Sequence, residues 1–200
     1  LTAGGCMVPL SGMASAESLG LMLSDCSAQF LFVSQTNRDL FHSVPPELKA
    51  LSADRIIALD EHGDGIGEPL TNWLGNTSTE AAPAHVTIDD AFNIIYSSGT
   101  TGTPKGILHD YRFRQRQMVR MSRFGLDGEA INLVSTPLYS NTTLVSVLPT
   151  LFGGGTIVSM AKFDAHRFLE LAEQHRVTHA MLVPVQYQRI LAEPDFDRFA

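Results

Sequence analysis

The sequence predicts an α/β protein of two layered βα lobes with mostly parallel sheets. Three observations predict it. Short β-branched and aromatic runs at 29–34, 55–59, 92–96, 130–135, 156–160 and 178–184 alternate with segments of helical periodicity; strands separated by helices need crossover connections, and crossovers give parallel pairing. A length of 200 residues with 44% hydrophobic content can bury a sizeable core. A polar stretch rich in Gly, Pro, Asn, Ser and Thr at 61–87 divides a first lobe, 1–60, from a second, 88–200.

In the first lobe, 5–10 reads as a short buried strand. The helix at 15–25 follows from Leu19, Met22, Leu23 and Cys26 at helical spacing, with Ser15 as N-cap. After the strand at 29–34, Pro45-Pro46-Glu47-Leu48 can start a helix, since proline is tolerated in a first turn, and 55–59 closes a βαβαβ unit. Within the connector only Leu70, Trp73 and Leu74 can anchor a turn of helix. Trp73 has no polar or charged companion at useful spacing and reads as packing against a core edge.

The second lobe opens on the stretch that carries most of the chemistry: Tyr96-Ser97-Ser98-Gly99-Thr100-Thr101-Gly102-Thr103-Pro104-Lys105-Gly106. It follows the apolar strand 92–96. Its glycines let backbone N–H groups approach a ligand, its hydroxyls can donate to phosphate oxygens, Lys105 adds a positive charge, and Pro104 limits the freedom lost on ordering. We read it as a phosphate-gripping loop followed by a helix. A Walker-type loop is excluded, because Lys105 is followed by Gly106 rather than Ser or Thr; the dinucleotide glycine pattern is excluded, because Gly63, Gly65 and Gly67 have the wrong spacing.

Beyond the loop, 109–124 reads as a basic amphipathic helix with Phe113, Gln117, Arg120, Met121 and Phe124 on one face and Arg112, Arg114, Arg116 and Arg123 as a solvated set; His109 reads as a surface or capping residue. The strand 130–135 delivers 136–142 at its C-terminal end, where open parallel sheets bind ligands. The run 143–152 is helical, Gly153-Gly154-Gly155 is a tight helix-to-strand turn, and Asp164 caps a helix at 164–176 with Phe168, Leu169, Leu171 and Ala172 inward. His175 and His179 are four apart, but a strand begins between them, so no metal site is expected.

A net charge of -7 excludes binding nucleic acid through its phosphate backbone. Cys6 and Cys26 lack the spacing of a zinc or redox pair and read as small core residues in a reducing compartment, the cytoplasm. No apolar run approaches the ~20 residues that span a bilayer, which leaves only peripheral membrane association open. Both ends of the chain read as interior to a longer sequence.

The run from Tyr96 to Gly106 resembles the AMP-binding signature of the adenylate-forming superfamily: acyl-CoA synthetases, peptide-synthetase adenylation domains and luciferases. The stretches 1–10, Leu-Thr-Ala-Gly-Gly-Cys-Met-Val-Pro-Leu, and 136–142, Thr-Pro-Leu-Tyr-Ser-Asn-Thr, resemble the same family in the expected order. The resemblance, closest to fatty-acid CoA ligases, implies a fragment of the large N-terminal domain of an acid–thiol ligase. It implies ATP, Mg2+ and CoA as cofactors and a small-molecule carboxylic acid, fatty or hydrophobic, as partner. It implies that Ser97, Ser98, Gly99, Thr100, Thr101, Gly102, Thr103 and Lys105 bind the nucleotide, with Lys105, Thr100 and Thr101 catalytic, and that Tyr139, Ser140 and Thr142 line the substrate side. Ser140 stands where the family usually has histidine, so the histidine's orienting role is in question; Ser140 and Asn141 can equally begin the next helix. The alternatives are a peptide-synthetase adenylation domain and a non-catalytic nucleotide-binding module, and the fragment alone is expected to be inactive.

Overall fold

The structure is a computed structural model that describes residues 4–49, 51–60, 66–75, 84–97 and 104–199. It is α/β with parallel sheets, in two compact units, Leu1–His109 and Asp110–Ala200. The break between them falls inside the stretch expected as one lobe, 88–200.

In the first unit, β1 (Leu31–Val33), β2 (Ile56–Ala58) and β3 (Glu68–Pro69) form a parallel sheet in that order, with Leu31 opposite Ile56 and Ile57 opposite Glu68. The helix α1 (Ala16–Asp25) starts where expected: the Ser15 hydroxyl accepts from the Ser18 N–H at 3.1 Å. Leu19 and Leu23 of α1 pack with Val33, Ile56, Val44, Ile66 and Phe41, the last on α2 (Arg38–His42). Such burial is the main stabilising contribution to the lobe.

Four expectations change here. The segment 5–10 makes a single parallel bridge, Met7 with Asn93, because Pro9 has no N–H with which to extend a ladder. Pro45-Pro46 opens only the 3-10 turn Pro46–Leu48, while the short α2 lies upstream of it. Part of the expected connector belongs to the sheet: Ile66 is buried, β3 pairs with β2, and α3 (Leu70–Leu74) follows directly. Trp73 of α3 meets Phe30 and Phe32 edge-on at centroid distances of 6.0 and 5.6 Å, a packing role. Finally, Cys6 is exposed and Cys26 half-buried, so neither is a core residue; both are free thiols.

β4 (Ala91–Ser97) and β5 (Lys105–Asp110) form a two-stranded sheet. The expected helix after Gly106 is displaced. Residues 105–110 are extended, and α4 (Tyr111–Ser122) begins only after Asp110, whose carboxylate accepts from the Phe113 N–H at 2.6 Å and so caps it.

In the second unit, β6 (Ile131–Val134) lies between β7 (Thr156–Ser159) and β8 (His179–Ala180), all parallel, with Leu133 opposite both Val158 and Ala180. The connection from β6 to β7 runs through α5 (Asn141–Phe152) and that from β7 to β8 through α6 (Ala165–His175); right-handed crossovers in opposite directions put these helices on opposite faces. Side chains agree. Leu133, fully buried, packs with Phe168, Leu169 and Leu171 of α6 and Ile190 of α7 (Pro184–Leu191), whereas its neighbour Asn132 donates from Nδ2 to Thr150 Oγ1 of α5 at 3.2 Å. Asp164 caps α6, accepting from the Arg167 N–H at 2.8 Å. The strand expected at 178–184 is limited to β8, because Pro184 starts α7 as its first residue. The glycine turn is required by space: a Cβ at Gly155 would stand 2.6 Å from the Asp127 carbonyl oxygen, and Gly154 has φ +84°.

Candidate functional site

One candidate region is the pair of strands that carries the two ends of the stretch read from sequence as phosphate-gripping. Ser97 ends β4 and Lys105 begins β5, both exposed. Ser98, Gly99, Thr100, Thr101, Gly102 and Thr103, the remaining residues expected to contact phosphate, lie outside the described residues. Lys105 therefore starts a strand rather than a helix, and no helix N-terminus at this position adds its dipole to the lysine charge. Behind the strand end, the Tyr96 hydroxyl donates to Asp25 Oδ2 at 2.6 Å, with the Met22 carbonyl oxygen at 3.1 Å as a second acceptor. Burial, then the Asp25 hydrogen bond, push the Tyr96 phenol well above its ordinary value, so it stays a donor at neutral pH. Farther along β5, His109 Nδ1 lies 3.5 Å from Nδ2 of the wholly buried Asn93.

A separate candidate region lies in the other unit. β6 is the strand from which the chain departs to one neighbour before returning to the other side, and the C-terminal end of such a strand is where α/β sheets form ligand crevices. Residues 136–142 leave β6 at that end. Tyr139 and Ser140 are half-buried and Thr142 is exposed. Ser140 occupies the N-cap position of α5 but makes no side-chain capping bond; its carbonyl accepts from the N–H groups of Thr143 and Leu144, both at 3.2 Å. Of the two readings of Ser140 and Asn141, helix initiation describes their backbone.

Two residues without a sequence signal of function hold this segment. Thr143, wholly buried, places its hydroxyl 2.7 Å from the Pro137 carbonyl oxygen and 2.8 Å from Thr136 Oγ1. Arg114, also wholly buried, donates from one guanidinium nitrogen to Asn141 Oδ1 at 3.0 Å and to Gln117 Oε1 at 2.7 Å, with its Cζ 5.5 Å from the Phe113 ring centroid. Burial pushes this guanidinium down to about 10, still charged at neutral pH. The sequence reading placed Arg114 with the solvated arginines and Phe113 and Phe124 inward; both phenylalanines are exposed. The signal was there: the half-buried stripe of Gln117, Met118 and Met121, extended back one turn, lands on residue 114.

With this geometry in view, comparison with known proteins decides the family. Residues 1–200 match the AMP-binding enzyme family along their whole length. This chain belongs to that family. Among curated AMP-binding enzymes, the feruloyl-CoA synthase of an Amycolatopsis species is 30% identical over 96% of this chain and 36% of its own length. The fatty acid–[acyl-carrier-protein] ligase ScoC of Streptomyces coeruleorubidus is 28% identical over 94% of this chain and 35% of its own. The chain thus spans about a third of the length of these relatives. In structure, the N-terminal domain of FACL13 from Mycobacterium tuberculosis superposes with a TM-score of 0.83 at 21% identity, over 96% of this chain and 47% of that one, a likeness of fold. Among the described residues no helix is long and apolar enough to cross a membrane.

Proposed function

We propose that the protein carrying this chain activates a carboxylic acid with ATP as an acyl-adenylate, releasing pyrophosphate, and passes the acyl group to the thiol of CoA. The observation that carries the reading is the signature stretch at 96–106, set between β4 and β5 with Ser97 and the Lys105 amine exposed at its ends, in a chain of the AMP-binding family. A carboxylate oxygen attacks the α-phosphorus and the bond to pyrophosphate breaks. Negative charge builds on the leaving group as it departs. Lys105 neutralises that charge, while the hydroxyls of Ser97, Ser98, Thr100, Thr101 and Thr103 and the N–H groups of Gly99 and Gly102 hold the β- and γ-phosphates. Magnesium enters bound to the triphosphate, as part of the substrate; among the described residues no group of three or more His, Cys, Asp or Glu side chains is arranged to hold a metal of its own.

Tyr139, Ser140 and Thr142 line the acid side at the C-terminal end of β6. Serine in place of the family's usual histidine removes a group able to carry positive charge, so carboxylate orientation falls to neutral hydrogen bonding. The names of the relatives support a hydrophobic acid, aromatic or fatty, and ScoC supports a second reading of the acceptor, a carrier-protein thiol in place of CoA. Free thiols at Cys6 and Cys26 suit a reducing, cytoplasmic location.

The test is pyrophosphate exchange into ATP by the full-length protein, with ferulic and dodecanoic acids as probes. Lys105→Ala is expected to slow exchange by about 100- to 1,000-fold, the range found for loss of one charge-stabilising donor, with an unchanged melting curve. An unchanged rate would overturn the assignment of the loop.

A further inference from the structure

We propose that Asp25, Tyr96 and Gly106 form a clasp that sets the positions of Ser97 and Lys105, which makes Asp25 and Tyr96 positioning residues for the nucleotide loop. The inference rests on the reading of 96–106 as that loop.

Three observations support it. The first is connectivity. Tyr96 immediately precedes Ser97, and its hydroxyl reaches across 71 positions of sequence to Asp25 Oδ2 at 2.6 Å, at the end of a different element. The second is contact on the ring of the same residue. A Cβ at Gly106 would lie 3.2 Å from Cε1 and Cζ of Tyr96 and 3.0 Å from Ile94 Cγ2, tighter than side chains normally approach, so glycine lets the backbone next to Lys105 lie against the ring. One side chain therefore touches both strands that lead into the loop, and its far end is tied to α1.

The third observation is a local conflict. Asp25 is the last residue of α1, and a helix C-terminus carries partial negative charge, so a carboxylate there is unfavourable for the helix. The α1 helix has no basic residue in its last turn to offset it. A proton donated by Tyr96 does. A residue that suits a distant partner and not its own helix marks a site where local preference has yielded to another requirement. The phenol is held in its neutral form by burial and by this same bond, so the donor persists through neutral pH.

Both residues act through Ser97 and Lys105, and the consequence is geometric: without the clasp, Ser97 and Lys105 must find their spacing on binding. The test uses the full-length protein and calorimetric affinity for the non-hydrolysable β,γ-methylene analogue of ATP with magnesium, a measurement that requires no knowledge of the acid. Tyr96→Phe and Asp25→Ala are expected to weaken binding about 5- to 10-fold, the net scale of one ordinary hydrogen bond. Asp25→Asn, whose amide oxygen still accepts the phenol proton, is expected to stay within about 2-fold of the parent. In a double-mutant cycle, Tyr96→Phe is expected to cost clearly less once Lys105→Ala is present, because part of its effect runs through placing that amine.

Parent-like affinity of Tyr96→Phe and Asp25→Ala, with Lys105→Ala weakened, would overturn the clasp and leave the loop standing. Additive losses in the cycle would also overturn it, since they would report general loosening. Parent-like affinity of Lys105→Ala would remove the loop reading and the clasp together. If Tyr96→Phe melts early, the Ala and Asn variants at the exposed Asp25 carry the comparison.

Discussion

Replacing Thr143 by valine tests whether the segment 136–142 is held by one buried hydroxyl. The side chain keeps its shape and loses its oxygen. The Thr143 hydroxyl has one proton and two close partners: the Pro137 carbonyl at 2.7 Å, which can only accept, and the Thr136 hydroxyl at 2.8 Å. Thr143 therefore donates to Pro137 and receives from Thr136, so the variant loses two bonds in a wholly buried setting. At roughly 1 kcal/mol net for each, the expected loss is ~2 kcal/mol, or about 4 to 8 °C in Tm for a protein of this size. Pro137 keeps a second donor, the Ser140 N–H at 3.0 Å, which holds the loss near that figure. Thr143→Ser is the control. It keeps the hydroxyl and drops a methyl, for about 1 kcal/mol. The assays are urea midpoints and amide exchange of Ser140, which should quicken in the valine variant and not in the serine one. A valine variant as stable as the serine one, or with unchanged Ser140 exchange, would refute the reasoning.

Three other predictions concern stability. Because the Tyr96 phenol titrates above its unfolded value, the folded chain keeps that proton longer; its contribution is full below about pH 10 and is lost as pH rises further, and Tyr96→Phe should flatten the alkaline fall of the urea midpoint. A slope unchanged by the substitution would count against it. Asp164→Ala removes the N-cap of α6 and should cost ~1 kcal/mol, read as a lower urea midpoint, with Asp164→Asn close to the parent. Gly155→Ala puts a methyl 2.6 Å from one carbonyl oxygen and 2.7 Å from another, those of Asp127 and Ala130, and should lose more than about 1 to 3 kcal/mol in thermal melts; a parent-like melt would show that the turn can move aside.

What the sequence made legible follows from the range over which each signal acts. Ser15 and Asp164 were readable as caps because a cap is a local arrangement of three or four residues, and both make the bond expected of them. The central strand β6 was readable because Ile131, Leu133 and Val134 make a short, largely apolar run bounded by Gly128 and Pro137. The strand β3 was not, since two residues carry no periodicity and pair only because β2 is beside them. Asp110 also caps, but the basic run from Arg112 drew the helix start back to His109 and hid β5. The residue types of 96–106 carried the phosphate reading, whereas Thr143 and Arg114 act through partners brought near by folding: helical spacing could reveal the burial of Arg114 but not its bond to Asn141, and nothing local marked Thr143.

The sheet order β7-β6-β8 also has a bearing on how the chain is made. The middle strand is the first of the three to leave the ribosome, and the second of its two neighbours emerges about 45 residues later, a delay of a few seconds at ordinary synthesis rates. During that interval β6 has an open flank along Ile131–Val134, an unpaired edge of the kind that nascent-chain chaperones can cover.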